Sequence, residues 1–193
     1  MARANVSEQL IQSGLETLYR NGFNASSVQD ITAAAGVPKG SFYNHFASKE
    51  DFGVVAVQRY VEVLSPKLQI LHDQNIAPLE RLRLFYSDLI ASLEAQQCQC
   101  GCLLGNFGAE LSDQYPAIRG SVSKAFEGWT SLVSAVILEA QQNGSVTSST
   151  SPELLSSFII NAWQGAAMRA KVEQSRAPLD AFAEVVFSRI LVA

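Results

Sequence analysis

Between Ser27 and Phe52 two short helical segments stand either side of a glycine, too close together for any longer connection, and this spacing limits the fold more than any other feature. The stretch reads S-V-Q-D-I-T-A-A-A-G-V-P-K-G-S-F-Y-N-H-F-A-S-K-E-D-F. Ser26 and Ser27 offer N-cap hydroxyls, and Asp30 stands three residues past Ser27, the capping-box distance. Ile31, Ala34 and Ala35 follow at helical spacing. Gly36 adopts a left-handed conformation without a Cβ penalty, so the first helix ends there. Pro38 suits the first turn of the next helix, where its missing N–H is not needed. Two short helices on a tight Gly turn make a helix-turn-helix.

The second helix, about Lys39 to Phe46, places Phe42 and Phe46 on one side at i, i+4 and docks that side on the first helix. Gly40, Ser41, Tyr43, Asn44 and His45 then face outward, a mixture suited to a DNA groove. Gly40 permits close backbone approach, Ser41, Asn44 and His45 carry donors and acceptors, and Tyr43 adds a flat ring with a hydroxyl. Lys49 opens the following helix beside Ser48, where its charge and the helix N–H groups are expected to hold a phosphate.

The run A-A-G-V-P-K-G-S-F-Y-N-H-F-A-S-K-E resembles the DNA-binding region of the TetR family of one-component transcriptional regulators. The resemblance covers roughly the first quarter of the chain and, as an ungapped string, is far more specific than a generic helix-turn-helix pattern. It implies an all-α homodimer with an N-terminal three-helix reading head, residues 1–48, and a larger helical signal-sensing and dimerisation domain, residues 49–193. By position, Lys39, Gly40, Tyr43 and Asn44 match the family's base- or groove-facing residues, and Ser27, Ser41, His45 and Lys49 its phosphate-facing ones.

Bulk charge would not have led to DNA. The chain carries a net charge of −4, and residues 1–50 hold four basic side chains (Arg3, Arg20, Lys39, Lys49) against four acidic ones (Glu8, Glu16, Asp30, Glu50). Any field that attracts DNA is therefore local. At 193 residues and 48% hydrophobic, the chain has enough apolar material for a sizeable core. No apolar run approaches the roughly 18 residues of a membrane span, and Met1–Leu10 lacks a signal-peptide pattern, so a cytoplasmic location with no membrane partner is expected.

Ahead of the motif, Leu10, Ile11, Gly14, Leu15 and Leu18 share one face of a helix from Val6 to Arg20, closed by Gly22. This face is expected to form a mini-core with Ile31, Ala34, Phe42 and Phe46, completed by Phe23 and Val28. A long helix from Lys49 runs towards Leu71 across Pro66, which is expected to kink or divide it. Further helices begin at Pro78, Asn106 and Pro116. Ser145–Ser151 reads as a polar surface loop. The last two helices, 152–173 and 178–192, are apolar over a wide arc. Packing within one subunit explains those arcs as well as pairing does. The family resemblance favours pairing with a second copy, Gly165, Ala166 and Ala167 allowing close approach, and paired heads would read half-sites roughly 34–36 Å apart.

Cys98, Cys100 and Cys102 fall within five residues. With only His45 and His72 as further soft ligands, the cluster lacks a structural zinc set, although copper(I) or a site shared across a dimer remains open. Its spacing and a reducing cytoplasm disfavour a static disulfide. Two readings stay in play, small buried residues or a redox or electrophile sensor. In the sensor, Cys102 sits where the chain turns into a helix, Gly101 keeps its approach open, and Cys98 or Cys100 acts as the resolving thiol. The segment C-G-C-L-L-G-N-F-G-A-E-L-S-D is similar to that of an electrophile- and oxidant-responsive TetR branch that includes repressors of N-ethylmaleimide reductase genes. That similarity implies a partner lysine on a late helix, by position Lys171. A reversible inducer would instead occupy a pocket walled by Phe85, Tyr86, Leu89, Phe107 and Trp129. No cofactor, metal or catalytic residue is expected. The chain has no C-x-x-C before a helix in a βαβ setting, no Gly-rich phosphate loop and no nucleophile elbow, which excludes the corresponding enzyme classes.

Overall fold

The computed structural model describes residues 6–191, so Val192, expected as the end of the last helix, lies outside the described residues. Nine α-helices are formed among them: α1 (Val6–Asn21), α2 (Val28–Ala34), α3 (Gly40–Tyr43), α4 (Lys49–Leu68), α5 (Pro78–Ala95), α6 (Leu103–Leu111), α7 (Pro116–Gln142), α8 (Pro152–Glu173) and α9 (Ala177–Val185). The described residues contain no strand. Pro66 does not divide α4. The helix runs through it to Leu68 and then tightens into a 3₁₀ turn over Gln69–His72. After α9 a π turn over Val186–Ile190 carries the chain on.

The helices gather into two compact units. The first comprises the chain through Val63 together with Leu103–Ala125, the second Leu64–Cys102 and residues from Phe126 onward. The first unit thus takes in α4 as far as Val63, beyond residue 48, together with α6 and the start of α7.

In the first unit, Leu10, Leu18, Phe23, Ile31, Phe42 and Phe52 are buried, as the spacing predicts. Phe42, Phe46 and Phe52 form a ring cluster with centroids 5.0–5.5 Å apart, a separation that favours edge and tilted contacts. Ala34 is exposed rather than in the core. The buried polar member of α2 is Thr32, whose hydroxyl donates to the Val28 and Gln29 carbonyls and so needs no partner from another helix. Gly22 and Gly36 both have positive φ, +86° and +66°, and end α1 and α2 as their sequence positions require.

The second unit is built around Tyr86, whose ring contacts Trp163, Phe182 and Phe187 at 5.6, 5.1 and 6.2 Å, with Phe85 edge-on to Trp129 at 6.0 Å. Arg81, on α5 as well, is buried. Its guanidinium donates to the Leu71 carbonyl at 2.8 Å and pairs with Glu139, so the charge is compensated on two sides. The 145–151 loop is not wholly peripheral. Val146 is buried, and the Gln141 amide donates to the Ser148 and Thr150 carbonyls, tying the loop back to α7.

Candidate nucleic-acid interface and sensor segment

The capping box forms as the spacing predicts. The Ser27 hydroxyl accepts from the Asp30 N–H at 3.1 Å, and the Asp30 carboxylate accepts from the Ser27 N–H at 2.7 Å. The Ser27 hydroxyl donating to the same carboxylate, and then the Ser27 N–H, hold the Asp30 carboxyl below the usual carboxylate range. Ser27, expected at a phosphate, thus uses its hydroxyl to start α2.

Phe42 is fully buried and anchors α3, which turns the rest of that helix outward. Lys39, Gly40, Tyr43, Asn44 and His45 are exposed and Ser41 is half-buried. Tyr43 is 56% exposed, with its ring edge-on to Phe42 at 5.4 Å. The ring is thus braced on one side by Phe42 and largely open to solvent. Tyr43→Ala is expected to weaken operator binding by about 1–3 kcal/mol while leaving the thermal midpoint unchanged, as measured by gel shift beside a melting curve.

Lys49, expected to face a phosphate, is turned inward. Its ammonium donates to the Phe23 carbonyl at 2.6 Å and sits 4.2 Å from the centre of the Phe23 ring. Partial burial pushes it below the ordinary lysine range, opposed by the Glu110 and Asp30 carboxylates. The neighbouring acidic groups and the Phe23 carbonyl, which also accepts from the Ser26 N–H at 3.1 Å, offer the ammonium nearer partners than solvent does.

None of the three cysteines is in a disulfide. Cys98 follows α5 with φ +56°, next to Gln97 at +54°, two consecutive non-glycine residues in the left-handed region. Burial and the Glu94 carboxylate raise the Cys98 thiol above its usual range, against the pull of Arg176. Cys102 immediately precedes α6, which begins at Leu103, three residues before the expected start. Cys102 and Gly101 are both buried, so the glycine does not open an approach, and Cys100 is the half-buried member. The Gln164 amide of α8 donates to the Cys102 sulfur at 3.5 Å. Lys171 lies seven residues further along α8, about 10 Å along the helix axis. Nothing in the sequence singled out Gln164, beyond its being polar beside the buried Trp163. Among the described residues, no group of three or more His, Cys, Asp or Glu side chains is placed to hold a metal ion.

Of the expected pocket walls, Phe85, Tyr86, Leu89 and Trp129 are buried in the second unit. Phe107 belongs to the first, where it meets Phe23 edge-on at 5.9 Å. The Tyr86 hydroxyl and the Trp129 indole N–H are buried without a hydrogen-bond partner, and burial pushes the tyrosine hydroxyl's pKa far up.

A helix-turn-helix within a three-helix head, followed by a larger helical region, defines a DNA-binding regulator. Two family models match the chain, one for bacterial regulatory proteins of the tetR family over residues 10–52, the other for the tetracyclin repressor-like C-terminal domain over residues 78–186. The chain belongs to the TetR family and is a transcriptional repressor of that family, not an enzyme. It is 42% identical over 192 residues to the HTH-type transcriptional repressor DhaR of Mycobacterium sp. (strain GP1), covering 99% of this chain and 95% of that one. Among solved structures it resembles a regulatory protein TetR from Rhodobacter sphaeroides, with a TM-score of 0.89, 34% identity and coverage of 96% and 98% of the two chains. It also resembles the reduced form of E. coli NemR, with a TM-score of 0.85, 28% identity and coverage of 98% and 97%. Regulators of this family bind operator DNA and act as dimers with small-molecule inducers. No described helix is long and apolar enough to cross a membrane.

Proposed function

We propose that this repressor binds a palindromic operator as a homodimer, through Lys39–His45 of each copy, and leaves it when an electrophile modifies Cys102. The observation that carries the sensor is the Gln164 N–H on the Cys102 sulfur at the N-terminal end of α6. That hydrogen bond holds the sulfur in one place at the entry to a helix, where an incoming electrophile would meet it. With a maleimide, the thiolate sulfur bonds to one alkene carbon, the alkene π pair passes to the neighbouring carbon, and that carbon takes a proton from water. No oxidant is needed. Under oxidants, Cys98 or Cys100 serves as the resolving thiol and Lys171 is the candidate second partner. At 6% exposure Cys102 reacts only when its segment opens, so half-buried Cys100 is the thiol a reagent meets first.

The second copy docks on α8 and α9. Leu154, Phe158, Met168, Val172 and Val185 are large apolar side chains left exposed there, and Phe158, Ala162, Ala166 and Val185 line a shallow groove of about 280 Å³ on the same face. Signal-induced release follows if modification favours a conformer whose heads no longer match the half-site spacing. A second reading, a reversible inducer within the second unit, is favoured by the unpartnered Tyr86 hydroxyl and Trp129 N–H, which a ligand bearing hydrogen-bond acceptors would satisfy.

The deciding experiment uses a duplex operator selected from a randomised pool, with alkylation by N-ethylmaleimide followed by intact mass. Wild type is expected to release the duplex as Cys102 is alkylated. Cys102→Ser is expected to bind equally well and to stay bound. Release by the serine variant at the wild-type dose rejects the Cys102 sensor, and binding by wild type that ignores complete alkylation leaves the reversible inducer.

A further inference from the structure

α6 carries a group that neither DNA contact nor signal chemistry accounts for. The Glu110 carboxylate accepts two backbone N–H groups of the α1–α2 turn, from Phe23 at 3.1 Å and from Asn24 at 2.6 Å. The turn is shaped to receive it. Gly22 is left-handed at φ +86°, and a Cβ there would stand 3.3 Å from a Glu110 oxygen. On the opposite edge of the same residue, Lys49 donates to the Phe23 carbonyl at 2.6 Å. One residue is therefore gripped at its N–H by a carboxylate and at its C=O by an ammonium, and these two charges also attract each other. From this turn the chain passes at once into α2. The Ser26 hydroxyl donates back to the Gly22 carbonyl at 2.7 Å, and Ser27 is the N-cap.

We infer that Glu110 is a positioning residue for operator recognition: carried by α6, it sets the α1–α2 turn from which the DNA-reading α2–α3 pair extends. A turn bonded only within the head would leave α2 and α3 free to tilt against α6. With both N–H groups accepted by one side chain of α6, the pair moves with that helix, and α6 begins at the residue after Cys102. The inference rests on DNA binding by this family and is independent of whether the signal is an electrophile.

The test is operator affinity of the full-length dimer and of Glu110→Ala and Glu110→Gln, on the duplex selected by wild type, alongside amide hydrogen exchange. Removing a negative charge should by itself tighten binding to a polyanion, so the positioning role predicts the opposite sign from the charge effect. Glu110→Ala is expected to weaken binding at least tenfold and to speed exchange at Phe23 and Asn24 at least tenfold, with exchange in α5 and α8 unchanged. Glu110→Gln also lacks the charge but keeps one acceptor, and is expected to recover part of the affinity. Alanine-variant affinity within threefold of wild type, tighter binding by both variants, or faster exchange throughout the chain would overturn the inference. If the alanine variant does not fold, the glutamine variant decides on the same readouts, with threefold weaker binding and faster exchange confined to the turn as the supporting result.

Discussion

Gly14→Val is expected to destabilise the first unit by about 3 kcal/mol and to abolish operator binding at physiological temperature. Gly14 lies on the buried face of α1, and a Cβ added there would stand 2.9 Å from Ile31 Cγ2, with the Phe52 ring closer still. Neither neighbour has room to move. Ile31 and Phe52 are both fully buried, and Phe52 is wedged against Phe42 and Phe46. The expected loss exceeds the gain of about 1 kcal/mol that a helix makes when Gly is replaced by a better helix former. Gly14→Ala separates the two contributions, since it adds that propensity with a single methyl and should destabilise less. Thermal unfolding followed by circular dichroism checks the order wild type, alanine, valine. A valine variant as stable as wild type would mean that α1 packs otherwise.

Arg81→Ala is expected to cost about 3–4 kcal/mol and Glu139→Ala about 2 kcal/mol, in urea unfolding. Arg81 is 1% exposed, so its removal leaves a void where the side-chain stem lay and strips the Leu71 carbonyl of its donor. Removing Glu139 instead strands a buried guanidinium. The cost is smaller because Glu139 is 38% exposed, so part of its attraction is screened by solvent, and because Leu71 still accepts from the arginine. Arg81→Met should be milder than Arg81→Ala, since methionine refills much of the volume without bringing a charge. The double variant Arg81→Ala/Glu139→Ala should lose less than the sum of the singles. Equal effects of the two alanine substitutions would show that the ion pair, not the burial of Arg81, dominates.

The sequence by itself determined the reading head. Ser27 and Asp30 three residues apart, Gly36 at a helix end, and Phe42 and Phe46 at i, i+4 are local signals, each acting within one turn of helix, and local chemistry survives being read without a structure. The same holds for the exposed row Lys39, Gly40, Tyr43, Asn44 and His45, because burying Phe42 and Phe46 leaves those positions no other face. The all-helical character was legible for the same reason, with proline starts at Pro78, Pro116 and Pro152 marking first turns.

What the tertiary structure decided are the pairings between residues far apart in the chain. Lys49 looked like a phosphate ligand from its place at the start of α4, and turned inward because the Phe23 carbonyl and Glu110, distant in sequence, supply a nearer field. Gln164 meets Cys102 across 62 residues and Glu110 meets Phe23 across 87. Neither separation has a period that a pattern search would find. Ala34 yielded its expected core place to Thr32 because a hydroxyl that bonds its own helix is buried at little cost. The division into units followed the same logic. α6 joins the N-terminal helices through Phe107, Glu110 and the approach of Ile118 to Gly53, contacts that packing alone brings together.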